Sequence, residues 1–398
     1  MTTRAAPLAG KRILDLSRVL AGPWCTMILA DLGAEVIKVE NPKGGDDTRG
    51  WGPPYAAGES AYYLCANRNK KSVAIDLSCA EGQSAVKALA ATSDVLVENY
   101  KLGGLDKYGL DYASLSAQFP GLIYCSISGY GRQSPRAAEP GYDYVIQAEG
   151  GLMTINGDVD RPPVRVGVAV ADLFTGMFAA QAILAALIAK DRDGLGQHID
   201  MALFDSQLAM LANVGSSCLV SEEEPKRFGN SHPSVVPYRT FESADGWFVI
   251  AVGNDHQFGI FCRDLLDRPD LADDARFATN SARVKNREAL DAILEPLVAQ
   301  KPTHWWLESL RKVKVPCGEV RPMKAALGAA ETLARGMVQS VSHPLAGMVP
   351  LIGSPLKLSG TPVVEAKAPP LLGEHSGEIL SGLLGYDAAM IARAAGQI

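Results

Sequence analysis

Paired thiols are missing from this sequence. Its seven cysteines (Cys25, Cys65, Cys79, Cys125, Cys218, Cys262 and Cys317) include no CxxC pair, and their number is odd. This argues against a zinc knuckle or a disulfide framework and favours a reducing compartment. The six histidines show no HxxxH spacing, so no metal site is expected. The opening stretch MTTRAAPLAGKRILDL has no apolar core of the kind an export signal carries, so a cytoplasmic protein is expected. No large excess of positive charge exists either. A formal net charge of −6 speaks against nucleic acid or an anionic membrane as the main partner. It leaves room for a small anionic ligand, which needs only a few local cations.

Two familiar catalytic fingerprints are absent as well. The turn after the first predicted strand reads LSRVLAGPW, with one glycine where a dinucleotide fold would carry GxGxxG. No GxSxG elbow occurs, which disfavours a serine hydrolase.

What is present is alternation. Strands are predicted at Arg12–Leu16, Val36–Glu40, Val73–Leu77, Val95–Glu98 and Leu122–Ser126. Helices are predicted between them at Gly22–Gly33, Ala80–Ala91 and Tyr112–Gln118. Repeated strand–helix–strand units imply an α/β fold with a mostly parallel sheet covered on both faces. Valines 164, 166, 168 and 170 then predict a strand leading into the apolar stretch 166–190. That stretch is interrupted by Asp172, Thr175, Gly176 and Gln181, so it reads as a buried helix rather than a membrane span. A further helix is predicted at Met201–Ala212. Residues 221–237 (SEEEPKRFGNSHPSVVP) read as a linker and functional loop. A smaller α+β region follows from Tyr238, with a strand at Trp247–Val252 and helices at His256–Leu266, Arg287–Ala299 and His304–Lys312. After Ala334 the pattern turns strand-like again.

Chemistry concentrates at a few positions. Arg18, Lys38, Lys43, Arg49, Arg68, Lys70, Lys71, Lys101 and Lys107 crowd the N-terminal half. Several fall near the carboxyl ends of predicted strands, where open α/β sheets bind ligands. Asn67–Lys71 reads as a solvated turn. Asp172 heads an apolar helix, which suits an N-cap. A helix N-terminus also stabilises a carboxylate that could act as a nucleophile, and the two roles are compatible. Tyr142 and Asp143 sit where a loop enters a helix, and His232 lies in a glycine- and serine-rich loop, as a base or merely exposed.

DLSRVLAGPWCTMILADLGAEVIKVE, GGDDTRGWGPP, NRNKKSVAIDL, DVLVENY, LIYCSISGYG, GYDYVIQAEGGLM and VADLFTGMFAAQAILAAL occur in this order. Together they resemble the class III CoA-transferases, the CaiB/BaiF family that includes formyl-CoA transferase and carnitine CoA-transferase. The resemblance implies an α/β architecture. Its Rossmann-like large domain is built from residues 1–220 and 334–398, with a linker and active-site loop at 221–237 and a smaller α+β domain at 238–333. Two ring-like chains would interlock as a homodimer. It implies acyl-CoA as substrate, a carboxylic acid as co-substrate, and no tightly bound cofactor. Asp172 would be the nucleophile, passing through an aspartyl anhydride and an aspartyl-CoA thioester. Val19, Leu20, Ala21, Leu77, Asn99, Tyr100, Lys107 and Tyr142 would contact CoA. The chain has Asn41 where formyl-CoA transferase has a phosphate-region arginine, and Leu20 where it has a glutamine. Its glycine-rich mobile loop is replaced here by GNSHPS, from Gly229 to Ser234. Formate and oxalate are therefore disfavoured. A racemising branch uses a histidine where this chain has Tyr142, and a phenol with a reference pKa of about 10 is a poor base at neutral pH. An idle CoA-binding protein is the other alternative, against which the retained Asp172 speaks. Within the family, SRVLAGP, GDDTR.WGPP and NRNKKS look most like the branch that transfers CoA from succinyl-CoA to dicarboxylates such as glutarate. Arg18, Arg49 and His232 are then candidates for the acceptor's distal carboxylate.

Overall fold

In a computed structural model, which describes residues 4–397, the chain divides into two units. The first holds residues up to Leu152, Val166–Ser221 and the chain from Ala330 onward; the second holds Met153–Arg165 and Glu222–Ala329. The segment 153–165 therefore belongs to the second unit, not to the large domain expected from sequence.

The first unit is built on six parallel strands. These are β1 (Arg12–Asp15), β2 (Glu35–Glu40), β3 (Lys70–Ala74), β4 (Val95–Glu98), β5 (Ile123–Ser128) and β6 (His198–Ala202). Their order in the sheet is β3-β2-β1-β4-β5-β6. Strand order reverses between β1 and β4, and that switch point is where open α/β sheets hold ligands. Apolar residues alternate across the strands and both faces are covered. Ile13, Val36, Val95, Ile123 and Cys125 pack with the helices α1 (Ala21–Asp31) and α6 (Val170–Asp193). Between these in the chain lie α2 (Ala61–Ala66), α3 (Ala80–Ala91), α4 (Tyr112–Gln118) and α5 (Asp143–Glu149); α7 (Leu203–Met210) and α8 (Ala212–Ser221) follow. Leu14, Ile37, Val73 and Leu96 face the other way, onto Val86 and Leu89 of α3 and the chain's C-terminal Ile379 and Leu380.

The helix α6 spans 24 residues and is the one described helix long and apolar enough to cross a membrane. It is instead a core element. Ala171, Thr175, Gly176, Ala179, Ile183 and Ala186 form a buried stripe at three- and four-residue spacing. Gly194 ends it in the left-handed conformation that glycine adopts without strain (φ 78°).

In the second unit, β7 (Tyr238–Glu242), β8 (Trp247–Ala251) and β9 (Cys317–Glu319) form an antiparallel sheet in the order β9-β8-β7. It packs on α9 (Arg287–Val298) and α10 (Thr303–Lys312) through Phe248, Ile250, Leu290, Leu294 and Trp306. The C-terminal part of the first unit contributes a hairpin, β10 (Val338–His343) and β11 (Gly347–Ile352), rather than further strands of the large sheet.

Three expectations shift. The third strand is Lys70–Ala74, because the Lys70 ammonium is buried on Asp15, Asn67 and the Pro23 carbonyl rather than solvated. The segment 164–169 forms no strand; Val164 and Val168 are exposed there and have no sheet to join. Residues 198–202 form the sixth strand, and the helix expected at Met201–Ala212 begins only at Leu203.

Candidate active site

Asp172 is the third residue of α6, not its cap. Ala169, which precedes the helix, supplies no side-chain bond. The capping acceptor comes from another element. Asp143, the first residue of α5, accepts the Ala171 N–H at 2.8 Å, and Gln147 one turn later donates to its other oxygen at 2.8 Å. Asp143 thus does for α6 what a local Asp or Ser cap does. The Asp172 carboxylate is left with no hydrogen-bond partner among the described residues. Burial pushes its pKa up, and the nearby Asp143 carboxylate adds to this, to about 7.

A phenol stands close by. Burial first, then the charges of Asp172 and other groups, push the Tyr62 hydroxyl up to about 12, so it remains a proton donor at neutral pH. The tandem Tyr62–Tyr63 in α2 splits its duties: Tyr63 is fully buried with the Arg49 guanidinium 3.7 Å from its ring centroid. Sequence reading missed Tyr62; two adjacent tyrosines at the head of a short helix, which must face different ways, were the available signal.

One turn beyond Asp172, Gly176 brings α6 against the start of α1. A Cβ on Gly176 would lie 2.6 Å from the Ala21 carbonyl oxygen and 3.1 Å from the Trp24 Cβ. Residues 172 and 176 lie on one helix face. This close crossing therefore places Asp172 beside the loop that joins β1 to α1. Gly22 tightens the same loop: its Cβ would fall 2.3 Å from that of Ser17.

The carboxyl ends of β1, β2, β3 and β4 surround a cleft of about 310 Å³, bordered by Arg18, Asn41, Lys43, Leu77, Tyr100 and Tyr108. Asn99 pins the β1–α1 loop by accepting the Arg18 N–H at 2.9 Å and donating to the Arg18 carbonyl at 2.7 Å. The Arg18 guanidinium lies 5.3 Å from the Tyr100 ring centroid. A cation and an aromatic face thus share a rim at the sheet's switch point, which suits an anionic ligand with a flat apolar group.

The model of CoA-transferase family III matches residues 8–376. The chain belongs to CoA-transferase family III. It is an enzyme of that class and uses acyl-CoA and carboxylic acid substrates. It is 46% identical to succinyl-CoA:glutarate CoA-transferase of Mus musculus, over 97% of this chain and 88% of that protein. It is 44% identical to succinate–glutarate CoA-transferase of Agrobacterium fabrum, over 96% and 97%. The crystal structure of a CaiB/BaiF family protein from Brucella suis superimposes with a TM-score of 0.86 at 46% identity, covering 96% of this chain and all of that one.

Within this CoA-transferase the predicted positions separate. Val19, Leu20 and Ala21 form the β1–α1 loop and the first helical residue, beside α6, while Leu77, Asn99 and Tyr100 surround or brace the cleft. Lys107 is exposed, its ammonium 4.5 Å from the Tyr108 ring centroid. Tyr142 is the N-cap residue of α5, 66% exposed, and its side chain makes no capping bond. Arg49 does not serve as the free cation expected from sequence. Its guanidinium donates to Glu40 at 2.8 Å, Glu59 at 3.0 Å, the Tyr63 hydroxyl at 2.6 Å and the Pro370 carbonyl at 3.1 Å. Arg68 is likewise spent on Asp31, and Lys38 on Asp46. The cationic cluster therefore shrinks at the cleft to Arg18 and Lys43, with Arg18 only loosely paired to the exposed Asp47 at 3.3 Å.

Gly229 and His232 belong to the second unit. Gly229 is left-handed (φ 54°), and a Cβ there would lie 3.0 Å from Asp158. The His232 Nδ1 accepts the Ser234 N–H at 3.1 Å, which places the proton of the neutral ring on Nε2. No metal-binding group of His, Cys, Asp and Glu occurs among the described residues.

Proposed function

We propose that this enzyme transfers CoA from succinyl-CoA to glutarate or a closely related dicarboxylate, with Asp172 as the covalent nucleophile. The uncapped, partly buried Asp172 carboxylate beside the β1–α1 loop carries the mechanism. The relatives named for succinate and glutarate support the substrates. A carboxylate oxygen of Asp172 attacks the thioester carbon, the C–S bond breaks, and CoA leaves as thiolate. The thiolate attacks the aspartyl carbonyl of the resulting mixed anhydride and releases succinate. The acceptor carboxylate then displaces the thiolate from the aspartyl-CoA thioester. The thiolate finally attacks the acyl carbonyl of the second anhydride, yielding glutaryl-CoA and free Asp172. Every step exchanges one activated acyl group for another, so no energy source is needed while water is kept out. Arg18, only loosely paired to Asp47, is a cation on the cleft rim for the acceptor's distal carboxylate, and Tyr62, whose hydroxyl feels the Asp172 charge, is a proton donor for the reacting carboxyl.

The substrate assignment is checked by incubating the enzyme with succinyl-CoA and a panel of mono- and dicarboxylic acids, following products by mass. Glutaryl-CoA is expected to dominate. Failure to transfer CoA to any dicarboxylate overturns the assignment.

We further infer an interlocked homodimer in a reducing compartment such as the cytoplasm. Seven unbridged thiols favour the compartment. Unpartnered apolar surface supports the dimer: α8 has no buried residue, Leu219 and Val220 are 83% and 87% exposed, and Ile188 of α6 is 74% exposed. Sedimentation is expected to give twice the chain mass, stable to dilution. A monomer that retains full activity overturns the assembly.

A further inference from the structure

Beyond the Leu16 N–H, which donates to the Val97 carbonyl at 2.8 Å, the loop between β1 and α1 is held by side chains. Asp15 accepts the Ser17 N–H at 2.9 Å, and Asn99 takes both backbone groups of Arg18. Two further ties come from a single ion pair. The Lys38 ammonium donates to the Ser17 carbonyl at 2.8 Å and lies 2.9 Å from Asp46. The Asp46 carboxylate in turn accepts the Val19 N–H, at 3.2 and 3.3 Å to its two oxygens. Both side chains of the pair have no exposed surface. Val19 has φ 69°, a left-handed conformation that a β-branched residue rarely adopts and keeps only where its surroundings impose it.

The pair is well built for that task. Asp46 also accepts the Thr48 N–H at 3.0 Å and the Thr48 hydroxyl at 2.8 Å, and its own N–H donates to Glu40 at 2.9 Å. Glu40 is fastened by Arg49 and by Ser72 at 2.6 Å. Burial alone would raise the Asp46 pKa, but the Lys38 ammonium and the Thr48 donors override it and hold it at about 2. At neutral pH the Asp46 carboxylate is therefore ionised, and the Lys38 pKa is raised, burial being overridden mainly by the Asp46 charge.

We infer that the buried Lys38–Asp46 pair is a positioning device for acyl-CoA: it fixes Val19 in its left-handed conformation and so sets the β1–α1 loop against which the thioester is presented to Asp172. Neither residue touches the reacting atoms in this scheme; both act through the loop backbone. The inference rests on the reading of Val19–Ala21 as a CoA contact.

The test uses the full-length enzyme with free CoA and succinyl-CoA as probes. Hydrogen exchange of residues 17–21 in the unsubstituted protein is expected to slow when CoA is added. Lys38→Met and Asp46→Asn are each expected to raise the KM for succinyl-CoA roughly 10- to 100-fold, with the acceptor's KM changed less than about twofold. Where a single variant leaves an uncompensated buried charge and fails to fold, the double variant Lys38→Met/Asp46→Leu removes both charges together, a replacement that folded proteins tolerate. Adding Val19→Gly to the double variant is expected to recover at least about threefold of the lost KM, because glycine enters the left-handed region without strain. A merely structural pair would lower Tm without splitting the two KM values and without that rescue. Protection of the loop by CoA combined with an unchanged succinyl-CoA KM in folded variants overturns the clamp alone. Absence of protection in the unsubstituted enzyme overturns the CoA contact, and the clamp's role with it.

Discussion

Replacing Asp172 with alanine is expected to lower turnover by at least ~10⁴-fold, with binding of CoA retained. The carboxylate is the nucleophile of the first step, the acyl group under attack in the next two and the leaving group of the last, and among the described residues no other acid lies in an equivalent place. Asp143, the nearest candidate substitute, is committed to the Ala171 N–H and to Gln147. Hydroxylamine is expected to trap an adduct at residue 172 in the unsubstituted enzyme incubated with succinyl-CoA, and none in Asp172→Ala. An alanine variant with full activity overturns the mechanism. The pH dependence follows from the same environment. Burial and Asp143 raise the Asp172 pKa to about 7, and only the ionised form attacks. The kcat/KM of the enzyme is therefore expected to rise close to tenfold per pH unit below that point and to level off above it. The stability consequence has the opposite sign. Between the unfolded value near 4 and the folded value near 7, the folded state holds a proton that the unfolded state has lost, so stability falls as pH rises through this window. Asp172→Asn is thus expected to be more stable than the unsubstituted enzyme at pH 8, by up to ~4 kcal/mol, less for the part of the carboxylate that water reaches, and equal to it near pH 4.

That environment explains which features were readable before the structure. Short β-branched runs separated by helical periods determine the parallel sheet, because burial on both faces leaves near-continuous apolar strands. Val95–Glu98, Ala80–Ala91 and Tyr112–Gln118 fall where the pattern puts them. Asp172 was legible as an ionisable group at the head of an apolar helix. Its missing partner was not, because the cap arrives from Asp143, 29 positions earlier, and local spacing carries no trace of that. The same limit misplaced the third strand. Lys70 looks solvated until Asp15, Asn67 and Pro23 are brought around it. Arg49 looked like a ligand for carboxylates and is one, but the carboxylates are Glu40 and Glu59 of its own chain. A charge pattern records how many cations lie near a sheet edge and says nothing about which are already paired. The valine alternation before α6 failed for a related reason: a period of two marks a strand only where another strand offers its free edge.

Gly176→Val is expected to be the most damaging substitution that touches no reacting group, with activity reduced at least ~10²-fold. In most helices a mid-helix glycine is a weakness, and an alanine there stabilises by roughly 1 kcal/mol. Here the added Cβ would lie 2.6 Å from a backbone oxygen, Ala21 O, and 3.1 Å from the Trp24 Cβ. Neither neighbour is the free end of a flexible side chain, so the helices must separate or α1 must lose its first turn. Overpacking of this kind costs about 1–3 kcal/mol, which exceeds the propensity gain. Separation also moves Asp172, one turn away on the same face, from the loop that holds Val19 through Ala21. Loss of activity is therefore expected to exceed what a fall in Tm accounts for, and Gly176→Ala is expected to show the same direction at smaller size. Gly382, in the helix Ser376–Leu384, is the control: a Cβ there meets nothing within 4 Å. Gly382→Ala is expected to raise Tm slightly and leave activity unchanged. If Gly176→Ala behaves like Gly382→Ala, the close helix crossing does not set the position of the nucleophile.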